Sequence, residues 1–443
     1  MNKIDSKPSP KRALFTRQMK KTHTILLPQM LEYHSAFLQA AFEGSGYHFQ
    51  VMNGGKNLKD KSLRYISNDY CYPAILIIGQ MLSVLEEGRY PADRIAFMEP
   101  QAGGACRAGN YYHAIIRTLE KLGQEQIPVI SLNFKGQESH PGFRITLPLL
   151  LSAIRAVCYG DLIMSLYQQV KPYECEKGAT DKVRHNLERE LAAQIREHQG
   201  LYDLSGKKRR ASYQYILQAF EQIPVYKQPK KAVGVTGEVY IKFSSLGNHN
   251  LEKLLERQNC QCIMGGFINY AIYVVDSDHR NYLLNGKFRV LDRGYEFVLN
   301  YLEKVQRELY DAVGQYKRFI IDPPFSELKK KAENIIGYDC ITGDGWLVAA
   351  ETVAAIERGC KHVLILHPFG CLVSHVCERG IIKKLNLLYP EVNIQTIEYD
   401  YDSSDTLRES RILMGISDLG KIRKNKIGQC SHNTCSENNL DSI

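Results

Sequence analysis

The feature that most constrains this chain is the alternation of short apolar runs with segments of helical periodicity. A short apolar strand followed by an amphipathic helix builds a βαβ unit, and such units stack strands into parallel sheets covered on both faces. In the first block a strand is expected at His23–Leu27 and a helix near Tyr33–Phe42, where Phe37, Leu38, Ala41 and Phe42 share one face. A helix at Pro73–Glu87, a strand at Arg94–Met98, a helix near Asn110–Leu122 and a strand at Ile127–Leu132 follow. Between Leu151 and Ile223 strand signals vanish, and charged helical segments such as Asp181–His198 and Arg210–Phe220 dominate. A second alternating block opens at Lys231–Lys242. It adds a helix at His249–Arg257, strands near Val363–Leu366 and Ile394–Ile397, and a helix near Glu378–Leu388. The expected fold class is therefore α/β, with two Rossmann-like parallel-sheet domains joined by a helical region. The expected boundaries are a basic tail 1–21, a first domain 22–150, a helical region 151–230, a second domain 231–420 and a polar, disordered tail 421–443.

At 443 residues the chain is long enough for two or three cores. The net charge of +9 is spread out, its densest clusters being the first 21 residues, Lys207–Arg210 and Lys421–Lys426. That is the pattern of solvated termini and loops, not the basic stripe with interleaved aromatics of a nucleic-acid binder. Met1–Arg17 is polar and basic with no apolar run, unlike a signal peptide. No stretch approaches the roughly 20 apolar residues of a membrane helix, and Ala74–Leu85 and Ile145–Val157 are core-length. A cytoplasmic location is expected. In that reducing compartment the twelve cysteines divide into core residues and metal or redox ligands, not a disulfide framework.

Three cysteines share one expected setting. Cys71 stands just before the helix that Pro73 opens, with Asn68 and Asp69 placed to cap free amides. Cys106 follows Gly103 and Gly104, between the strand ending at Met98 and the next helix. Cys371 follows Gly370, between the strand ending at Leu366 and its helix. Sites in open α/β sheets form beyond the carboxyl ends of strands, where helix N-termini offer amides and partial positive charge. That setting suits a three-thiolate iron–sulfur cluster, with Gly103, Gly104 and Gly370 letting backbone come close and Arg107 adding positive charge. The competing reading of each cysteine is a small buried hydrophobe, and their sequence spacing does not decide between the two. Cys260 and Cys262 alternate as core residues of a strand, and Cys158 and Cys360 read as packing residues. Cys175, Cys340 and Cys377 are candidates for a fourth ligand, while Cys430 and Cys435 with His432 fall in the tail.

Several stretches resemble the 2-hydroxyacyl-CoA dehydratase superfamily, in its CoA-enzyme activase-related branch. They are FTRQMKKTHTILLPQM at Phe15–Met30, NDYCYPAILIIGQML at Asn68–Leu82, GGACRAGNY at Gly103–Tyr111 and ISLNFKG at Ile130–Gly136. GEVYIKFSSLGNHNLEKLLE at Gly237–Glu256, GDGWLVAAE at Gly343–Glu351 and HPFGCLVSH at His367–His375 complete the set, with GEVYIKF read as strand-like. The resemblance implies two Rossmann-like domains with a [4Fe-4S] cluster in the cleft between them, on Cys71, Cys106 and Cys371. One iron is left open to substrate. It implies Asn68, Arg107 and His367 as catalytic or supporting groups, and an acyl-CoA thioester as substrate. It also implies an electron delivered by a separate ATP-dependent activator ATPase of the actin-like superfamily, which carries its own [4Fe-4S] cluster. A related second subunit, or a double-cubane cluster that reduces small molecules, occurs among such proteins.

The expected activity is a lyase or reductase component. Removing water from a 2-hydroxyacyl thioester requires losing a proton at C3 that is not acidic, and one-electron reduction overcomes that obstacle. Gly415–Lys421 imitates a phosphate loop, but Ile422 stands where Ser or Thr is needed, so ATP hydrolysis falls to the partner. The alternatives are a non-catalytic electron-transfer subunit with every iron ligated by protein, and a zinc-stabilised or structural protein.

Overall fold

The computed structural model describes residues 12–100, 106–132, 140–198, 200, 205–226, 228–286, 289–402 and 404–417. Gly103, Gly104, the basic residues 1–11 and the tail with Cys430, His432 and Cys435 lie outside the described residues. The first sheet is built from β1 (Thr24–Leu27), β2 (His48–Val51), β3 (Ile95–Pro100) and β4 (Val129–Leu132). The second is built from β5 (Lys231–Gly237), β6 (Cys260–Met264), β7 (His362–Pro368) and β8 (Asn393–Tyr399). Their spatial orders are β2-β1-β3-β4 and β6-β5-β7-β8, the same topology twice, and every pairing is parallel. The chain is thus an α/β protein with two Rossmann-like parallel-sheet units.

Helices explain why the strands read as continuous apolar runs. All seven residues of β7 are buried, as are five of the six in β3, because a parallel sheet is covered on both faces. Two of the four inner strands, β3 and β7, end in proline, Pro100 and Pro368. Proline cannot donate to the ladder, so each strand stops there, a few residues ahead of Cys106 and Cys371 in the sequence.

Between the sheets run the helices Leu147–Val170, Ala179–Glu197 and Lys207–Glu221. The first corrects one expectation: counted as Leu147–Tyr173, it is long and apolar enough to cross a membrane by length and composition. Of its apolar window 83% is buried inside the protein, which is the condition of a core helix. It also carries a buried carboxylate. Asp161 accepts from the amides of Phe267 (2.6 Å) and Ile268 (2.8 Å), at the start of helix Phe267–Leu284, and lies 2.8 Å from His34 Nε2.

Three local readings also change. The strand-like run GEVYIKF splits, because β5 ends at Gly237 and Val239–Phe243 is a helical turn. Glu238 starts that turn, its carboxylate accepting from the Ile241 amide at 2.9 Å. Gly237 has φ +120°, and a Cβ there would come within 2.0 Å of the Leu366 carbonyl oxygen, so only glycine permits the bend. The helix expected from His249 begins at Leu251, since His249 and Asn250 take left-handed φ values of +53° and +57°. Finally, the helix before Leu388 starts just after Cys371 and passes through a π turn at Ser374–Glu378.

Candidate metal centre

Each of the three cysteines stands where a helical segment begins. Cys71 is the N-cap of helix Tyr72–Glu87 with φ −67° and ψ 148°, and Pro73 occupies the first turn. Cys106 is the N-cap of the turn Arg107–Asn110 with nearly the same backbone, φ −69° and ψ 137°, and helix Tyr111–Lys121 continues from it. Cys371 precedes the π turn, where the Ser374 amide and hydroxyl point at its sulfur from 3.5 and 3.2 Å. An extended N-cap aims its side chain at free helical amides, which favour negative charge. The amides of Ala74 and Ala108 act in this way on the thiols of Cys71 and Cys106.

The two units meet at these residues. The Tyr72 amide, next to Cys71, donates to the Phe369 carbonyl at 3.1 Å. Gly370 has φ +75°, and a Cβ on it would sit 3.1 Å from Cys71 Cα. Cys71 and Cys371 are therefore adjacent across the junction. The Tyr111 hydroxyl bonds Cys71 Sγ, and Arg107, next to Cys106, bonds the Asp69 carbonyl, so the Cys106 turn lies beside the Cys71 loop. Glu238 follows β5 and lies next to the switch between β5 and β7, its amide donating to the Leu366 carbonyl at 2.9 Å.

Burial dominates the electrostatics. It pushes the Cys71 thiol up to about 12 and the Cys106 thiol up to about 11, and it raises Cys371 further. The carboxylate of Glu238 adds to the rise at all three. Left alone, these thiols stay protonated at neutral pH; a bound cationic centre would displace the protons. Among the described residues no three His, Cys, Asp or Glu side chains are close enough to hold one metal ion. A single zinc draws thiolates to about 2.3 Å from one point. An iron–sulfur cluster spreads them over separate irons, which suits three thiols arriving from separate helix starts.

A layer of buried carboxyls backs the thiols. Burial raises Glu238 to about 7 and raises Asp344 and Glu378 as well, with Glu238 adding to Asp344 and Asp344 to Glu378. Glu99, at the end of β3, is also buried, its carboxyl raised and both oxygens without a hydrogen-bond partner among the described residues. Behind them Lys242 Nζ reaches both oxygens of Glu351, at 2.9 and 2.7 Å.

The three residues expected to support catalysis occupy different roles. Arg107 Nη1 donates to the Asp69 carbonyl, tying the Cys106 turn to the Cys71 loop. Asn68 Nδ2 donates to the Tyr401 hydroxyl at 2.7 Å, across the junction beyond β8. His367 is fully buried at the end of β7, with Arg379 donating to its Nε2 and Glu398 3.1 Å away. Burial and then Arg379 lower its pKa to about 4, so it is neutral. Of the fourth-ligand candidates, Cys175 is exposed and pairs by its amide with the Pro224 carbonyl, whereas Cys340 and Cys377 are half-buried. Cys158, Cys260, Cys262 and Cys360 are buried, as core residues should be.

Sequence reasoning missed Glu238, Asp344, Glu378 and Tyr111. The first two carried a readable signal: a carboxylate directly after a strand's terminal glycine, and one between Gly343 and Gly345. No family model, no curated protein and no solved structure matches the chain.

Proposed function

We propose that this chain holds an iron–sulfur cluster on Cys71, Cys106 and Cys371 and works as a redox component of the 2-hydroxyacyl-CoA dehydratase kind. In this reading it is cytoplasmic and takes low-potential electrons from a separate ATP-dependent activator. The observation that carries the reading is the convergence of three helix-starting thiols, from both sheet units, on one junction beside Glu238. A [4Fe-4S] cluster held by Cys71, Cys106 and Cys371 would supply one-electron reduction. The protein's own contribution is placement. Helical amides and the Tyr111 hydroxyl stabilise thiolate charge, Gly370 allows the two loops to close up, and the surrounding core excludes water. Glu238, whose carboxyl is raised to about 7, can hold or release a proton near neutral pH beside the thiols. An acyl-CoA thioester is the substrate class that the sequence resemblance brings to this reading.

The test is the iron and acid-labile sulfide content of protein purified without oxygen, alongside its Cys106→Ala variant. About four of each per chain, lost in the variant and bleached by air, is the expected result, and about eight irons indicate a double-cubane cluster. Zinc in place of iron, or no metal in the oxygen-free protein, refutes the proposal.

A further inference from the structure

We propose that a cavity between the two sheet units and the helices joining them binds a small primary ammonium ion that also carries a hydroxyl, of the size of ethanolamine. The inference does not rest on the iron–sulfur reading.

The cavity has a volume of about 70 Å3, and three parts of the chain wall it. Tyr33 follows β1, Tyr167 and Gln168 belong to helix Leu147–Val170, and Arg184 belongs to helix Ala179–Glu197. Phe243 and Glu252 come from the second unit. Lys253 and Glu256 line it as exposed residues, which marks its open side. An apolar cavity of about 150 Å3 takes up benzene, with six heavy atoms, so this one suits a solute of about three or four.

Most polar groups of the lining are already engaged within the protein. The Tyr167 hydroxyl donates to Asp181 at 2.7 Å, and Asn248 donates to two backbone carbonyls and accepts from the Leu251 amide. Arg184 lies over the Tyr33 ring, its Nε donating to Glu188 at 2.7 Å, and Lys242 is held by Glu351. Two atoms are left over. The Tyr33 hydroxyl donates to Glu252 Oε2 at 2.8 Å, but Glu252 Oε1 completes no hydrogen bond among the described residues. Neither does Nε2 of Gln168, a residue only 3% exposed. Gln168 is near enough to favour the charge of Glu252, yet the two atoms close no bond. An unmet acceptor beside an unmet donor calls for a ligand with one of each. Charge decides the kind. With Lys242 and Arg184 each held by a carboxylate, Glu32, Glu252 and Glu256 face Lys253, so the lining favours a cation. The ammonium donates to Glu252 Oε1, and the hydroxyl accepts from Gln168 Nε2.

The experiment titrates the full chain, kept free of oxygen, with ethanolamine hydrochloride and follows binding by ligand-observed NMR. Propylamine and ethylene glycol are probes of matched size: the first replaces the hydroxyl by a methyl, the second the ammonium by a hydroxyl. The expected result is saturable one-to-one binding of ethanolamine, about fivefold or more tighter than propylamine, and no saturation by ethylene glycol. In Gln168→Leu the two amines should bind equally, and Glu252→Gln should weaken both about tenfold or more. The comparison of the three probes needs no variant, so it stands even where a substitution disturbs folding. Absence of saturable ethanolamine binding overturns the proposal. So does equal affinity for propylamine or ethylene glycol in the native chain, or ethanolamine binding that a folded Glu252→Gln chain retains in full.

Discussion

The ion pair beneath the carboxyl layer offers a sharp test of how the junction is held. Lys242 and Glu351 are each 2% exposed and joined by two contacts of 2.9 and 2.7 Å. Lys242 sits on the turn that Glu238 starts, and Glu351 sits within helix Leu347–Glu357. Substituting Lys242→Met keeps an unbranched side chain, one atom shorter, and removes its charge. Glu351 is then a buried carboxylate with no cation, and breaking such a pair costs about 3–5 kcal/mol. Protonation caps the loss, since burial already raises the Glu351 carboxyl and Lys242 is what opposes that rise. The penalty should therefore be larger at pH 8 than at pH 6. Lys242→Met with Glu351→Leu removes both charges, and its cost should fall to within about 1 kcal/mol of the native protein, since apolar replacement of a buried pair is often neutral. The single tryptophan, Trp346, is fully buried and directly precedes the Glu351 helix, so its fluorescence during urea unfolding reports on this region. The reasoning fails if the single variant loses less than about 1 kcal/mol, the range of an exposed pair. It fails equally if the double variant is as unstable as the single one.

Gly370→Ala should cost about 1–2 kcal/mol from its left-handed φ of +75° alone. It should also lower iron retention, because the new Cβ presses on Cys71; unchanged retention in anaerobic iron assays would show that the loops need not approach so closely. Glu252 accepts from the Tyr33 hydroxyl at 2.8 Å, and burial raises its carboxyl from 4.5 to about 7. A raised folded-state pKa gives stability that is whole below pH 4.5 and is lost as the pH climbs through 7. The loss amounts to about 3 kcal/mol. Unfolding curves across that window should flatten in Glu252→Gln, and an unchanged slope would remove Glu252 as the cause.

Much of the fold was legible because burial on both faces leaves a plain mark: β7 is an apolar run whose every residue is buried. β2 was not legible, since four residues reading His-Phe-Gln-Val alternate too briefly to stand out from the surrounding chain. The turn at Val239–Phe243 was misread because Val, Tyr, Ile and Phe favour strands, whereas the close passage of Gly237 by Leu366 and the Glu238 cap override that preference. Among site residues, Cys71, Cys106 and Cys371 could be picked out by their place at strand–loop–helix junctions. Their mutual nearness could not, because it depends on how two units dock. Glu378 was invisible for the same reason: a glutamate on a helix reads as solvated until a neighbour buries it.

The division of the thiols between the units has a consequence for synthesis. Cys106 leaves the ribosome 265 residues before Cys371. At about 5–20 residues per second, the first two thiols wait roughly 13–53 s for the third. Throughout that interval the first sheet can fold and Tyr111 can cover Cys71, but a group that needs all three sulfurs has no complete seat. A group that needs all three sulfurs can be seated only once Cys371 has been made, long after the first sheet unit is complete.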